Sequence, residues 1–184
     1  HCESSAASDV YKRQYIINAG SDEFFSTDSW RFYYEELPEN KLIRYVPNAN
    51  HSLSGEYLTR DLISFFYRVV NNIELPVLNW ELLDRNLNVS LDYNGEYSVS
   101  TWKAFNENGR DFRLWQEGEL WKKSNMKKNE NNKYNIEIEN NNTGYQAIMV
   151  EFTLDPDSDF PLKISTGPFV FPNSYPYEKY EPIK

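Results

Sequence analysis

Asp22 and His51 are the residues with the clearest chemical potential: an acid and an imidazole, each in a loop that follows a short apolar run, 29 residues apart. A hydrolytic triad needs a carboxylate that accepts a hydrogen bond from one imidazole nitrogen. That bond fixes the tautomer and leaves the other nitrogen free to take a proton from a serine. His51 is the only histidine outside a leader over residues 1–14 that reads as non-native or misread, so it has no rival for the role of base. Glu23 and Asp28 compete with Asp22 for the role of acid. Asp28 is better placed to cap a helix, and Glu23 should point away from its neighbour, so Asp22 ranks first.

The elements that would carry the pair read as strand, helix, strand, helix. Tyr15 to Ala19 is an apolar run closed by Gly20 and Ser21, suited to a strand buried on both faces of a parallel sheet. Asp28 or Thr27 is expected to cap a helix through Trp30, Phe32, Tyr33 and Leu37 that Pro38 ends. Leu42 to Val46 gives a second strand, and Pro47 and Asn48 turn the chain into the loop of His51. From Gly55 to about Asn72, Leu58, Leu62, Phe65, Phe66, Val69 and Val70 recur at helical spacing and predict an apolar stripe covering a sheet. Such a unit delivers both loops to the carboxyl edge of one sheet. The order acid then histidine on successive strand ends is that of an α/β-hydrolase.

After Glu74 the periodicity changes from 3.6 to 2. Leu87, Val89 and Leu91 alternate with polar residues, as do Ile136 and Ile138, and Ile148, Val150, Phe152 and Leu154. Further strands are expected at Val77 to Leu83, Tyr97 to Phe105, Asp111 to Trp115 and Gly167 to Phe171, about seven in all, with a hairpin loop over Asn125 to Asn132. That number and length suit an immunoglobulin-like β-sandwich. The expected organisation is a non-native or misread leader over residues 1–14, the C-terminal β-α-β-α part of an α/β-hydrolase sheet over 15–74, and the sandwich over 75–184. The leader lacks an initiator Met and an apolar core, and it carries the sole cysteine, Cys2, which leaves no disulfide framework.

Composition narrows the function. A net charge of -9 opposes binding to nucleic acid, whose affinity is built on cations displacing counterions. Lys122, Lys123, Lys127 and Lys128, interleaved with Ser and Asn, read as a solvated loop. No run is apolar enough to span a bilayer. There is no His pair at helical spacing, no Cys pair and no dense carboxylate cluster, so neither a metal nor a cofactor is expected. No Gly-x-Ser-x-Gly occurs, so the nucleophile and its oxyanion donors are expected to lie outside these residues. Asn50, Asn88 and Asn141 each begin a potential N-glycosylation word, and Asn50 adjoins His51.

The words NAGSDEFF (Asn18 to Phe25), RFYYEELP (Arg31 to Pro38), LIRYVPNANHSL (Leu42 to Leu53), RDFRLW (Arg110 to Trp115), GYQA (Gly144 to Ala147) and PLKIST (Pro161 to Thr166) resemble those of the PhoPQ-activated pathogenicity-related protein family. The resemblance runs from about Tyr15 to Pro176. It implies a secreted or periplasmic α/β-hydrolase with a C-terminal immunoglobulin-like domain, in a family that includes eukaryotic autocrine proliferation repressor proteins. It also implies that Asp22 of the DEFF word and His51 of the NHSL word are triad members. Thr27 stands where a proline is expected. The resulting expectation is a C-terminal fragment of a serine-dependent hydrolase of esters or amides, inactive alone, acting on an unidentified small molecule, peptide or glycan. The alternative is a binding or regulatory protein that keeps the fold without catalysis. Its recognition surface would be built from Trp80, Trp102, Trp115 and Trp121, four rings that core packing also explains. Arg110, Asp111 and Arg113 read as a salt-bridged brace between the two parts.

Overall fold

The computed structural model describes residues 13–53, 56–141 and 143–175, with Glu56 and Tyr57 described by backbone alone. The expected leader falls outside these residues apart from Arg13 and Gln14, and Gln14 is already paired in the first strand. Strand β1 (Gln14–Ala19) and strand β2 (Lys41–Val46) run parallel in register from Gln14 opposite Lys41 to Ala19 opposite Val46. Four successive residues of β2, Leu42 to Tyr45, are buried. That continuous burial means both faces of the strand are covered.

Between β1 and β2 the expected helix does not form. Two 3₁₀ turns, Ser29–Phe32 and Tyr34–Glu36, take its place. Asp28 makes no capping bond, because its carboxylate is held by Arg110 and Arg31. Aromatic residues lose side-chain freedom in a helix, and a segment this short cannot recover the cost of nucleation. Tertiary bonds fix it instead: the amide of Trp30 donates to the Tyr45 hydroxyl and its indole to the carbonyl of Pro168.

Helix α1 (Glu56–Val70) lies where the periodicity places it, but it turns the unexpected face inward. Asp61, Ser64 and Arg68 are buried, while Leu62, Ile63, Phe66 and Val70 face solvent. Asp61 pairs with buried Arg44 of β2, and Arg68 binds Asp155 at 2.5 Å. Burying Arg44 without a counter-ion would cost several kcal/mol, which gives the polar face a reason to turn inward. Phe65 packs inward by stacking on Tyr15, and Tyr67 stacks on Phe160.

The remaining strands are β3 (Val77–Leu83), β4 (Asn86–Asp92), β5 (Tyr97–Asn106), β6 (Lys122–Met126), β7 (Lys133–Glu137), β8 (Tyr145–Leu154), β9 (Leu162–Ser165) and β10 (Phe169–Phe171). They form two antiparallel sheets, one ordered β3-β4-β7 and one ordered β10-β8-β5-β6, with β9 also pairing β8. The segment expected as a strand over Asp111 to Trp115 is a loop leading into a short helix, α2 (Leu114–Glu117). The lysine-rich stretch expected to be loop contains β6. Lys122 and Lys123 lie at the free edge of their sheet, where lysines discourage further strand pairing.

Strand β8 explains how the layers meet. Its even residues Ile148, Val150, Phe152 and Leu154 join Leu87, Val89 and Ile136 in the core between the two sheets. Its odd residues Ala147 and Met149 join Trp30, Tyr34, Ile43, Tyr45 and Trp121 in a second core on the opposite face.

The expected α/β-hydrolase sheet followed by an immunoglobulin-like β-sandwich is therefore corrected. Among the described residues strand is the dominant regular structure, and β1 and β2 are the only parallel pair. A two-stranded parallel pair cannot bury helices on both faces. It instead covers the outer face of the β8–β5 sheet with an aromatic layer. No helix among the described residues is long and apolar enough to cross a membrane.

Candidate acid–base site

The site begins where β1 and β2 end. The amide of Gly20 donates to Val46 O at 2.8 Å and that of Ser21 to Ala49 O at 3.1 Å, so pairing continues past the strands into the two loops. Asp22 then folds back on its own loop. Its Oδ1 accepts the amides of Phe24 at 2.7 Å and Phe25 at 3.0 Å, the local bonding that suits aspartate to turns. These bonds fix the carboxylate without using Oδ2.

His51 arrives through a left-handed turn at Asn48, whose φ is 52°, a conformation asparagine tolerates better than most residues. Its Nδ1 lies 3.0 Å from Asp22 Oδ2 and 3.2 Å from Oδ1. The Asp22 side chain is 7% exposed and that of His51 48%. The acid is thus enclosed and the base faces out. With Nδ1 carrying the proton toward the carboxylate, Nε2 presents its lone pair, and it has no hydrogen-bond partner among the described residues. The exposed rings of Phe24 and Phe25 stand against the imidazole with centroids 4.8 and 5.6 Å away.

Both sequence-selected residues are thus brought together, and the two competing acids have other tasks. Glu23 does not point away: its Oε2 accepts the backbone amide of His51 at 2.8 Å. Asp28 is fully buried and bound by Arg110 at 2.6 Å and Arg31 at 3.2 Å. Arg110 reaches across 82 positions to do so. Asp111 and Arg113 pair locally, and the hydrogen bond from Arg113 holds the Asp111 carboxyl below its ordinary range. The amide of Leu114 donates to Ser21 O at 3.0 Å, fastening this segment to the acid loop. Between them lies a cleft of about 590 Å³ lined by residues 22–27, 108–113 and Tyr145. Other grooves, at the Tyr34–Trp80 junction and across β3-β4-β7, hold no acid–base pair.

Sequence reasoning named Glu23, Asn48 and Trp121 but missed what each of them binds at the site. The buried indole of Trp121 donates to Gly20 O at 3.1 Å, and the Asn48 side chain binds the Trp121 backbone at two points. The left-handed turn at Asn48 had a signal in the Pro-Asn word; Trp121 had none. Of the four tryptophans considered for a recognition surface, Trp115 is 64% exposed, Trp121 is buried and Trp80 stacks on Tyr34. Asn50 accepts a bond from Ser52 Oγ at 2.7 Å within its glycosylation word. No group of three or more His, Cys, Asp or Glu among the described residues is arranged to hold a metal.

The family model described as PhoPQ-activated pathogenicity-related protein matches residues 8–113, more than half of the chain. The chain belongs to that family. Asp22, His51, Asn48 and Arg110 all lie in the segment matched to the PhoPQ-activated pathogenicity-related model. A relative, autocrine proliferation repressor protein A of Dictyostelium discoideum, is 27% identical over 191 residues, which cover 89% of this chain and 38% of the relative. The chain thus spans well under half the length of that relative. No solved structure gives a significant match.

Proposed function

We propose that this chain supplies the acid and base of a serine-dependent hydrolase, with Asp22 orienting His51 and His51 accepting the proton of a serine contributed by a segment outside these residues. The observation that carries the reading is the 3.0 Å approach of His51 Nδ1 to Asp22 Oδ2 with the rest of the imidazole turned to solvent. In the reaction, His51 Nε2 takes the serine proton as the hydroxyl attacks an ester or amide carbonyl. It then returns that proton to the leaving oxygen or nitrogen, and Asp22 stabilises the imidazolium between the two steps. The cleft between residues 22–27 and 108–113 is open to part of the substrate, a small molecule, peptide or glycan. The longer protein is proposed to act outside the cytoplasm, secreted or periplasmic, on the strength of the family resemblance.

The test compares the 184-residue chain with a longer polypeptide of the relative's length that contains it, each offered a reactive acyl ester at neutral pH. The longer protein should turn over and the chain alone should not. His51→Ala should remove turnover on the order of 10³-fold or more. Activity of the chain alone that depends on His51, or activity of the longer protein indifferent to His51, would refute the proposal. The name of the Dictyostelium relative favours a second reading, a regulatory protein that retains the pair without hydrolysis. Under it the longer protein shows no turnover, and its regulatory effect survives His51→Ala.

A further inference from the structure

We propose that Trp121 and Asn48 form a clamp that sets the spacing of the Asp22 and His51 loops, making both of them positioning residues for the acid–base pair. The inference rests on the reading of Asp22 and His51 as such a pair. Trp121 is 3% exposed and sits just before β6, remote in sequence from either loop. It nevertheless bonds to both. Its indole N–H donates to Gly20 O, two residues before the acid, at 3.1 Å. Its backbone amide donates to Asn48 Oδ1 at 2.9 Å, and its carbonyl accepts from Asn48 Nδ2 at 3.0 Å, three residues before the base.

The local backbone is shaped for these bonds. A Cβ at Gly20 would stand 3.0 Å from Val46 O and 3.3 Å from Trp121 Nε1, so glycine permits the approach of the ring and of the second loop. The positive φ of Asn48 turns its amide toward Trp121, where it serves as donor and acceptor as a neighbouring strand would. The indole itself is anchored in the second core, beside Phe112. Both loops are therefore referenced to one buried residue, the acid loop through its indole and the base loop through its backbone, which is how a supporting shell holds a site to within fractions of an ångström. A hydrogen bond weakens steeply as its partners separate or tilt. Loss of the clamp should let the imidazole leave the carboxylate while the strands beneath stay paired.

The experiment reads the His51 ring directly. Long-range ¹H–¹⁵N spectra of the uniformly ¹⁵N-labelled 184-residue chain, recorded where the imidazole is neutral and assigned by loss of signal in His51→Gln, report which nitrogen holds the proton. The intact chain should show one tautomer, protonated at Nδ1, and Asp22→Asn should lose it. Trp121→Phe keeps the ring packing and removes the indole donor; Asn48→Gly removes the amide and keeps the left-handed turn. Each should move His51 toward the Asp22→Asn pattern, while Trp115→Phe, at an exposed site, should leave it unchanged. A folded Trp121→Phe or Asn48→Gly that keeps the single-tautomer spectrum overturns the clamp, and Asn48→Gly alone decides the matter if Trp121→Phe does not fold. A wild-type ring that is already a mixture and ignores Asp22→Asn removes the acid–base reading and the clamp together. Failure of the clamp alone leaves the dependence on Asp22 intact.

Discussion

At the end of β1 one oxygen of Asp22 takes the amides of Phe24 and Phe25, and the other faces the imidazole of His51 at 3.0 Å. The carboxylate is thus held by its own loop before the histidine arrives, so the pair needs no further bond to Asp22. Asp22→Asn keeps this shape but offers the ring an amide, which can favour the wrong tautomer. In a longer, active protein it should lower kcat on the order of 10³- to 10⁴-fold with little change in KM, as steady-state kinetics would show. Glu23 acts on the backbone, not the ring. Glu23→Ala should therefore speed hydrogen exchange at the His51 amide by about tenfold, the effect of one net hydrogen bond, and lower activity far less than Asp22→Asn does. Exchange unchanged in Glu23→Ala would show that the bond contributes nothing in solution. Asp22 and His51 were legible in the sequence because strand ends and turn residues announce themselves locally. The task of Glu23 was not, since the group it binds lies 28 residues away and becomes a neighbour only once β1 and β2 pair.

Elements with apolar alternation, strict in β4 and partial in β8, were readable because each strand presents one face to the core between the sheets. Strand β6, with sequence KKSNM, carries no apolar alternation because it is an exposed edge held by backbone pairing to β5. Helix α1 shows a different limit. Periodicity revealed the helix, but the stripe could not say which face turns inward, and the buried charges of Arg44 and Asp61 decided it. A buried pair of this kind responds asymmetrically to substitution. Asp61→Ala should destabilise the chain by about 3–5 kcal/mol, because it strands a guanidinium in the interior. Replacing both residues, Arg44→Met with Asp61→Leu, should recover most of that loss, and Phe66→Ser on the outer face should cost no more than about 0.5 kcal/mol. Urea unfolding of the four proteins measures all three. A costly Phe66→Ser or a harmless Asp61→Ala would mean that the helix packs the other way round.

At the scale of the whole molecule, three layers share β8, and aromatic side chains fill the boundary between the β1–β2 pair and the β8–β5 sheet. Strands and abundant tyrosine were legible in the residue pattern, but this arrangement was not. A residue buried on both faces of one strand looks the same in sequence as a residue in a parallel sheet. Layering leaves several phenols out of water. Burial, reinforced by Glu35 and Tyr33, pushes Tyr34 up to about 12, and burial raises Tyr15, Tyr45 and Tyr97 as well. An unfolded tyrosine ionises near pH 10, so over this window the unfolded chain gives up protons that the native chain keeps. The stability these phenols contribute is complete below about pH 10 and falls as pH rises toward 12. Absorbance at 295 nm should accordingly rise in two phases: first from solvent-facing tyrosines with the fold intact, then together with loss of the strand signal in circular dichroism. Tyr34→Phe keeps the packing, lacks the ionisable group and should move the second phase to higher pH. A single smooth titration near pH 10 with an unchanged spectrum would show that water already reaches these rings, and that the aromatic layer beneath the acid–base pair is not closed.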